Sequence, residues 1–310
     1  FLTFIMEKVA YYLSIVNFTK IIIPKTSIVF IIIYYILLIS FIYFNKKRYL
    51  FFLINLIIII KIIPFFNTFA NIIFLEVSQG DSMLYITKNQ SKVYMFDTGG
   101  IRNKSVSDNS LMYLKSLGIS KIDYLILTHG DFDHCGDAEN VINKFKVKNV
   151  IFNNDGFKPL EKNIINILNK KNILYYKSKD VSLPNITFLN TKLFDNENDN
   201  SIVTLINESG LRCLLMGDAG KDTENAIMNK YILKDITILK VGHHGSITSS
   251  TKTFINYIKP KFSIISVGKK NRFGHPNKET LDNLKDSKIY RTDQNGSIMF
   301  KIKNNKLKIE

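Results

Sequence analysis

Apolar residues run almost without interruption from Ile28 to Phe44, and again from Tyr49 to Phe66, where only Asn55, Lys61 and Pro64 break the run. Each stretch approaches the roughly 20 residues a helix needs to cross the hydrocarbon of a bilayer. Tyrosines and phenylalanines at their ends suit the water interface, and Lys61 lies close enough to an end to snorkel. Asn45-Lys46-Lys47-Arg48 joins the two runs, so a buried soluble hairpin fits poorly. The pattern predicts two transmembrane helices, over 28–44 and 49–66, in a membrane segment spanning residues 1–66. Residues 1–25 are mildly amphipathic and suit the membrane interface. No initiator methionine or charged region precedes the apolar run, so it does not resemble a cleavable signal. The chain reads as a segment of a longer, multi-pass membrane protein. If the Lys46–Arg48 turn is cytoplasmic, the part after the second helix lies outside the cytoplasm; Lys8, Lys20 and Lys25 pull the other way.

From about Asn71 the pattern changes to strands alternating with helices. Strand-like runs are 72–77, 83–87, 93–96, 124–127, 202–206, 211–216, 236–241 and 262–267. Amphipathic helical stretches cover 110–117, 160–169, 223–232 and 251–258. The tail 296–310 reads as a hairpin turning at Asn304-Asn305. Polar clusters follow the strands: Asp97-Thr98-Gly99-Gly100, His129, Asp218 and His243-His244. Residues 67–310 therefore read as a layered α/β enzyme domain with its site on loops at strand ends.

Composition changes this picture in two respects. The chain of 310 residues has a net charge of +16 and is 12% aromatic, which excludes a disordered polymer. Residues 1–70 hold seven Lys/Arg and one acid, which leaves 35 basic against 25 acidic groups in the rest. That excess would attract a polyanion or an anionic surface; solubility together with a Lys/Asn/Ile-rich bias explains it equally well. The two cysteines, Cys135 and Cys213, make no disulfide framework and read as packing residues.

No Gly-rich loop ends in Gly-Lys-Ser/Thr, which excludes a P-loop ATPase, and no G-x-S-x-G elbow is present. Metal chemistry remains. "THGDFDHCG" (128–136) places His129, Asp131, Asp133 and His134 within six positions, using two of the five histidines. Imidazole nitrogens and carboxylate oxygens at this density suit divalent metals. In an extended loop, residues 129, 131 and 133 would face one metal and His134 a second.

The segment His-x-Asp-x-Asp-His resembles the His-x-His-x-Asp-His of the metallo-β-lactamase superfamily, with Asp131 in place of the middle histidine. "FDTGG" is similar to that superfamily's first motif, "LMGDAG" places Asp218 where it has a metal-bridging aspartate, and "LKVGHHGS" supplies a late histidine, His243 or His244. A finer similarity is to the C-terminal domain of the competence DNA-uptake channel (ComEC) family, carried by "VSQGDS", "NDNS", "KVGHHGSITSS", "FGHP" and "YRTDQNG". It extends over residues 72–310 and into the helices before them. Asp137 departs from it, standing where the family often has a glycine.

The resemblance implies a four-layer αββα metallo-β-lactamase fold preceded by the two transmembrane helices, and a site for two divalent metal ions. Asp131 adds a hard oxygen that favours Mn²⁺, with Zn²⁺ or Mg²⁺ as alternatives. The expected ligands are His129 and Asp131 on one ion, Asp133 and His134 on the other, Asp218 between them, and one of His243 and His244. Asp97 and Asp81 are expected to support them from behind. Asp133, Asp218 and His275 are the expected catalytic residues, His275 as general acid or phosphate contact; a surface histidine beside a proline turn is the plain alternative. Asn200, Ser201, Ser246 and Arg272 are expected to contact substrate. The free N–H groups and hydroxyls of Gly245-Ser246 and Ser249-Ser250, before a helix near Thr251, suit a phosphate, or else a simple helix cap. Lys269–Phe273 offers cations and an aromatic ring for a single strand.

The expected activity is hydrolysis of the DNA strand that is not transported during uptake. Single-stranded DNA, the membrane, and the remaining channel portion or other uptake proteins are the partners. An extracytoplasmic phosphoesterase acting on a phosphorylated envelope polymer is the alternative enzyme, and a non-catalytic DNA-binding or gating module the alternative outside catalysis.

Overall fold

The computed structural model describes residues 2–15, 22–44, 46–101, 105–189 and 191–310. The chain divides into two compact units, Phe1–Phe66 with Met112–Ser120, and Asn67–Leu111 with Lys121–Glu310. The first begins with α1 (Leu2–Ile15), α2 (Ile28–Phe44) and α3 (Lys47–Ile62), which a 3-10 turn prolongs to Phe66. Every residue of α2 leaves its side chain at least partly open. Lys47–Phe66, at 20 residues, is long and apolar enough to cross a membrane; Ile28–Phe44, at 17, is shorter. Asn45, in the expected polar turn, and residues 16–21 of the amphipathic segment lie outside the described residues.

The second unit runs β1 (Ala70–Phe74), β2 (Met83–Ile86), β3 (Val93–Phe96), the start of α4 (Ser107–Ser116), β4 (Lys121–Leu127), α5 (Phe132–Cys135), α6 (Ala138–Lys144), β5 (Lys146–Phe152), α7 (Pro159–Lys170), β6 (Leu174–Lys177) and β7 (Ile186–Phe188). It continues with β8 (Thr204–Glu208), β9 (Leu211–Leu215), α8 (Lys221–Lys230), β10 (Ile238–Lys240), α9 (Lys252–Ile258), β11 (Phe262–Ile265), α10 (Lys278–Asn283), β12 (Lys288–Arg291), α11 (Thr292–Asn295), β13 (Ile298–Lys303) and β14 (Lys306–Ile309). One sheet has the order β14-β13-β1-β2-β3-β4-β5-β6 and the other β12-β11-β10-β9-β8-β7.

The two sheets pack face to face because their strands alternate. Ile72 and Phe74 of β1, Tyr85 of β2 and Ile126 of β4 share one apolar core with Ile206, Cys213, Ile238 and Ile264 of the smaller sheet. Each such side chain, once buried, contributes about 1.5–3 kcal/mol. Tyr85, Tyr94 and Tyr124 stack across β2, β3 and β4 at centroid spacings of 5.4 and 5.6 Å. The Tyr85 hydroxyl crosses between the sheets and donates to Glu208 Oε2 at 2.7 Å. On the other face of the smaller sheet, Leu214, Leu239 and Ile265 pack on Ile227 of α8 and on Phe254 and Ile258 of α9. On the larger sheet, α6 packs against β5 and α7 against β6. The layers are αββα.

Strands β3 to β6 are mutually parallel, as are β9 to β12. Their carboxyl ends deliver Asp97, His129, Asp218 and His243-His244 to loops. Four strands that the alternation pattern omits, β5, β6, β7 and β12, complete the sheets. The expected extended geometry after His129 does not form. Phe132–Cys135 is a helical turn, and the next helix begins at Ala138. Asn304 and Asn305 turn the final hairpin with φ of 48° and 60°, the left-handed pair that a tight two-residue turn requires.

Candidate metal centre

The site is assembled by backbone contacts among three loops. Asp81 N donates to the Asp133 carbonyl at 3.1 Å, Thr98 N to the His134 carbonyl at 2.7 Å, and Gly99 N to the Asp81 carbonyl at 2.7 Å. Two glycines allow this closeness. A Cβ on Gly80 would lie 2.2 Å from the Asp133 carbonyl oxygen, and one on Gly100 2.0 Å from that of Phe132. Asp97 adopts a left-handed φ of 53° at the end of β3. Its carboxylate accepts from Thr128 N at 2.8 Å, Thr128 Oγ1 at 2.7 Å and His134 Nδ1 at 2.8 Å. His243 and His244 also sit at left-handed φ, 45° and 53°. Such strain in non-glycine residues persists where the surroundings hold it.

Hydrogen bonds assign the imidazole protons. His134 Nδ1 faces a carboxylate and His244 Nδ1 the Ser266 carbonyl at 2.9 Å, so each carries its proton on Nδ1. The Thr128 hydroxyl already donates to Asp97 and therefore accepts from His129 Nδ1 at 3.1 Å. All three residues consequently turn an Nε2 lone pair inward. The Nε2 atoms of His129, His134 and His244, together with Asp218 Oδ1, are buried and have no hydrogen-bond partner. A buried polar atom left unpaired costs about 1–3 kcal/mol, so four in one place point to something that engages them.

His134 Nε2 lies 3.1 Å from Asp218 Oδ1, and His244 Nε2 lies 3.2 Å from Asp133 Oδ2 and 3.6 Å from Asp218 Oδ2. Ligand atoms of His129, His134 and Asp218 lie within 4.8 Å of one another, as do those of Asp133, His134 and His244. A mixed set of nitrogen and carboxylate donors at these spacings fits one or more divalent transition metals.

Electrostatics match that donor set. Burial pushes the Asp218 carboxyl up, but the adjacent His134 and His244 outweigh it and hold it well below the usual carboxylate range. Burial likewise opposes ionisation of Asp133, and His244 and His134 reverse it. Burial alone would depress His134 and His244; Asp218 leads the carboxylates that instead raise both. A cation and protons therefore compete for the same lone pairs.

Asp131 stands at the rim, its side chain 48% exposed and its Oδ2 3.6 Å from His129 Nε2. It precedes the α5 turn, so the expected alternation of 129, 131 and 133 toward one side is replaced by a helical offset. His244 is buried within the cluster, whereas His243 is partly open, with Nε2 3.8 Å from Asp218 Oδ2 and 3.4 Å from Asn198 Nδ2. Asp81 lies behind the cluster, 3.6 Å from His244 Nδ1. His275 is at the rim, its ring 5.8 Å from that of His243. Burial, then the neighbouring His243 and His244, depress it.

Three expected substrate contacts are used otherwise. The Asn200 amide braces its own loop, accepting from Phe194 N and donating to the Phe194 carbonyl and Asp155. Ser201 Oγ accepts from Asp218 N at 3.2 Å and so positions that loop. The buried Ser246 hydroxyl accepts from Thr248, whose own hydroxyl accepts from His243 Nδ1 at 3.1 Å. Of the N–H groups expected to hold a phosphate, those of Ser246, Ser249 and Ser250 are occupied. Ser250 N and Thr251 N donate to the buried Glu224 carboxylate, which also accepts from Thr251 Oγ1 at 2.7 Å. Arg272 lies along an open groove next to Asp133.

Sequence reasoning missed Lys240, which is buried and pairs closely with Asp81 Oδ2 while donating to the Gly217 carbonyl at 3.3 Å. A lone lysine inside the apolar strand "ITILKV" is the signal that would have found it. It missed Asn198 beside His243, and it missed the use of Asp137, whose Oδ2 accepts from Val106 N at 2.6 Å and Ser107 N at 2.8 Å at the head of α4.

Residues 75–269 match the model of the metallo-β-lactamase superfamily. Among curated proteins, the chain is 33% identical over 254 residues to ComE operon protein 3 of Bacillus subtilis, covering 74% of this chain and 33% of that protein. It is 25% identical over 230 residues to competence protein ComA of Neisseria gonorrhoeae, covering 73% and 31%. The chain thus spans about a third of the length of these curated relatives. Among solved structures, a mutant of the β-hydroxylase CmlA matches with a TM-score of 0.50 at 10% identity, over 74% of this chain and 54% of that one. At that identity the likeness is one of fold.

Proposed function

The chain belongs to the metallo-β-lactamase superfamily, and from that premise we propose that it is a membrane-anchored nuclease, hydrolysing the phosphodiesters of DNA during uptake. Membership together with the buried His/Asp cluster supports a metal-dependent hydrolase. A relative named as a competence protein, together with ComE operon protein 3, supports a competence-related role; the proposal extends that role to DNA uptake, with removal of the strand that is not transported. The observation that carries the proposal is the convergence of three unpaired imidazole lone pairs on Asp218.

His129 and Asp131 would hold one divalent ion, Asp133, His134 and His244 the other, with Asp218 between. Once bound, such ions (Mn²⁺ favoured, Zn²⁺ or Mg²⁺ as alternatives) supply Lewis acidity toward a phosphoryl oxygen and activation of water. The chain's own work is orientation. Asp97, Thr128 and Ser266 fix the three imidazole tautomers, and Ser201 and Lys240 hold the Asp218 loop. His243 and His275 stand at the open side; the N–H of neutral His243 is taken by the Thr248 hydroxyl, so the neutral His275 imidazole is the one that offers an N–H donor to a phosphate. The apolar helices α2 and α3 would anchor the domain in a cell membrane on its extracytoplasmic side, beside the rest of a DNA channel.

Incubation of end-labelled DNA with the chain and Mn²⁺ should release nucleotides, and Asp131→Ala or Asp218→Ala should abolish that release. Cleavage of chromogenic phosphodiesters without cleavage of DNA would move the substrate to an envelope polymer. A protein that takes up neither Mn²⁺ nor Zn²⁺ would sink the catalytic proposal.

A further inference from the structure

We propose that the groove between the α5 turn and the Lys269–Phe273 loop is the track for a single strand of nucleic acid, held by base stacking on Phe132 and Phe273 and by Lys270 and Arg272 at the phosphates. The inference deepens the phosphodiesterase reading above, which supplies the polyanion. The groove encloses about 730 Å³ and has Phe132, Asp133, Lys270, Arg272 and Phe273 in its walls. It therefore opens directly on a carboxylate of the cluster, 3.2 Å from His244 Nε2.

Its two phenylalanines are 43% and 55% exposed. Scattered exposed apolar residues need no explanation, but two lining one groove beside a buried ionic cluster do. The Phe273 ring lies nearly parallel to His275 at 5.8 Å, and His275 lies 5.8 Å from His243. A ladder of rings thus leads from the groove to the cluster. The Arg272 guanidinium sits 5.0 Å from the Phe273 centroid. Among the described residues, Lys269, Lys270 and Arg272 have no carboxylate within ion-pair distance, so their charge faces outward unneutralised. Duplex bases hide their faces in their own stack, whereas a single strand presents them to an aromatic platform. The exposed rings therefore select a single strand rather than a duplex.

The test is fluorescence anisotropy of a labelled single-stranded oligonucleotide with the full chain, in chelator so that nothing is cleaved. Phe273→Ala should weaken binding by roughly 5- to 150-fold, as expected for loss of one stacked base, while Phe273→Trp should retain it. Lys270→Ala with Arg272→Ala should reduce the slope of log affinity against log salt by about 1.4. A melting curve on Phe273→Ala confirms that it is folded. Single-strand affinity within about twofold of the wild type in Phe273→Ala, or an equal loss for a duplex of the same sequence, overturns the proposal. DNA cleavage by the wild type that is indifferent to Phe273 removes the groove alone. Phe273-dependent binding without any Mn²⁺-dependent cleavage removes the nuclease reading and leaves the groove.

Discussion

Replacing Asp97 with Asn removes one oxygen and one charge from behind the cluster with almost no change of shape. Asp97 is 2% exposed, and its two oxygens accept from Thr128 N, Thr128 Oγ1 and His134 Nδ1, all within 2.8 Å. A carboxamide has only one acceptor oxygen. With its NH₂ toward Thr128 N, donor meets donor in a dry environment. With its NH₂ toward His134, the ring must accept at Nδ1 and move its proton to Nε2, the atom that faces Asp218 at 3.1 Å. Either arrangement disturbs the imidazole proposed to hold metal, and loss of such a supporting partner typically costs about 10–100-fold in metal affinity. That corresponds to roughly 1.4–2.7 kcal/mol.

The assay is competition with a chromophoric chelator for Zn²⁺ or Mn²⁺ across pH. Asp218 and then Asp97 raise His134 against the opposing effect of burial, so in the wild type a proton competes with metal as pH falls through that raised pKa. Asp97→Asn relieves part of this competition. Its deficit should therefore be largest at alkaline pH and shrink toward acid. Affinity within about twofold of the wild type at about pH 8 would refute the reasoning.

Three further outcomes follow from the same geometry. Metal loading should release protons into a weakly buffered indicator solution, because His134 and His244 are both raised in the metal-free protein; absence of release would exclude them as ligands. Glu224→Ala leaves the buried Ser250 N, Thr251 N and Thr251 Oγ1 donors without their acceptor, which should lower stability by on the order of 3 kcal/mol in denaturant unfolding. An unchanged midpoint would contradict that assignment. Asp137→Gly should cost about 0.5–2 kcal/mol by uncapping α4, and an unchanged melting temperature would show that the cap is dispensable.

The cluster was legible in the sequence because its side chains follow strand ends, where a strand's period of two breaks into polar residues. His129, Asp133, His134, Asp218 and His244 lie together in the fold. The path between them was not legible: a four-residue turn such as α5 is too short to show a helical period. β6 escaped detection for a related reason, since Leu174, Tyr175 and Tyr176 are all exposed and do not alternate. Asn200, Ser201 and Ser246 illustrate another limit. Polar side chains near a site read alike whether they face substrate or brace a loop, and only the backbone course separates the two. Glu224 of α8, whose carboxylate reaches the head of α9, makes the same point, because its partners lie 26 and 27 positions away.

Strand β1 is flanked by β2 on one side and by β13 on the other, with Ala70 opposite Ile302 and Phe74 opposite Ile298. The second of these neighbours is made more than 200 residues later. At a synthesis rate of roughly 5–20 residues per second, β1 waits about ten to forty-five seconds on the ribosome with one edge open. That edge belongs to a wholly buried strand, and an unpaired apolar edge is a template for mispairing. Closing so long a loop is also slow. The first strand of the domain to emerge is therefore the last to be enclosed, and the C-terminal hairpin is the step that ends its vulnerability.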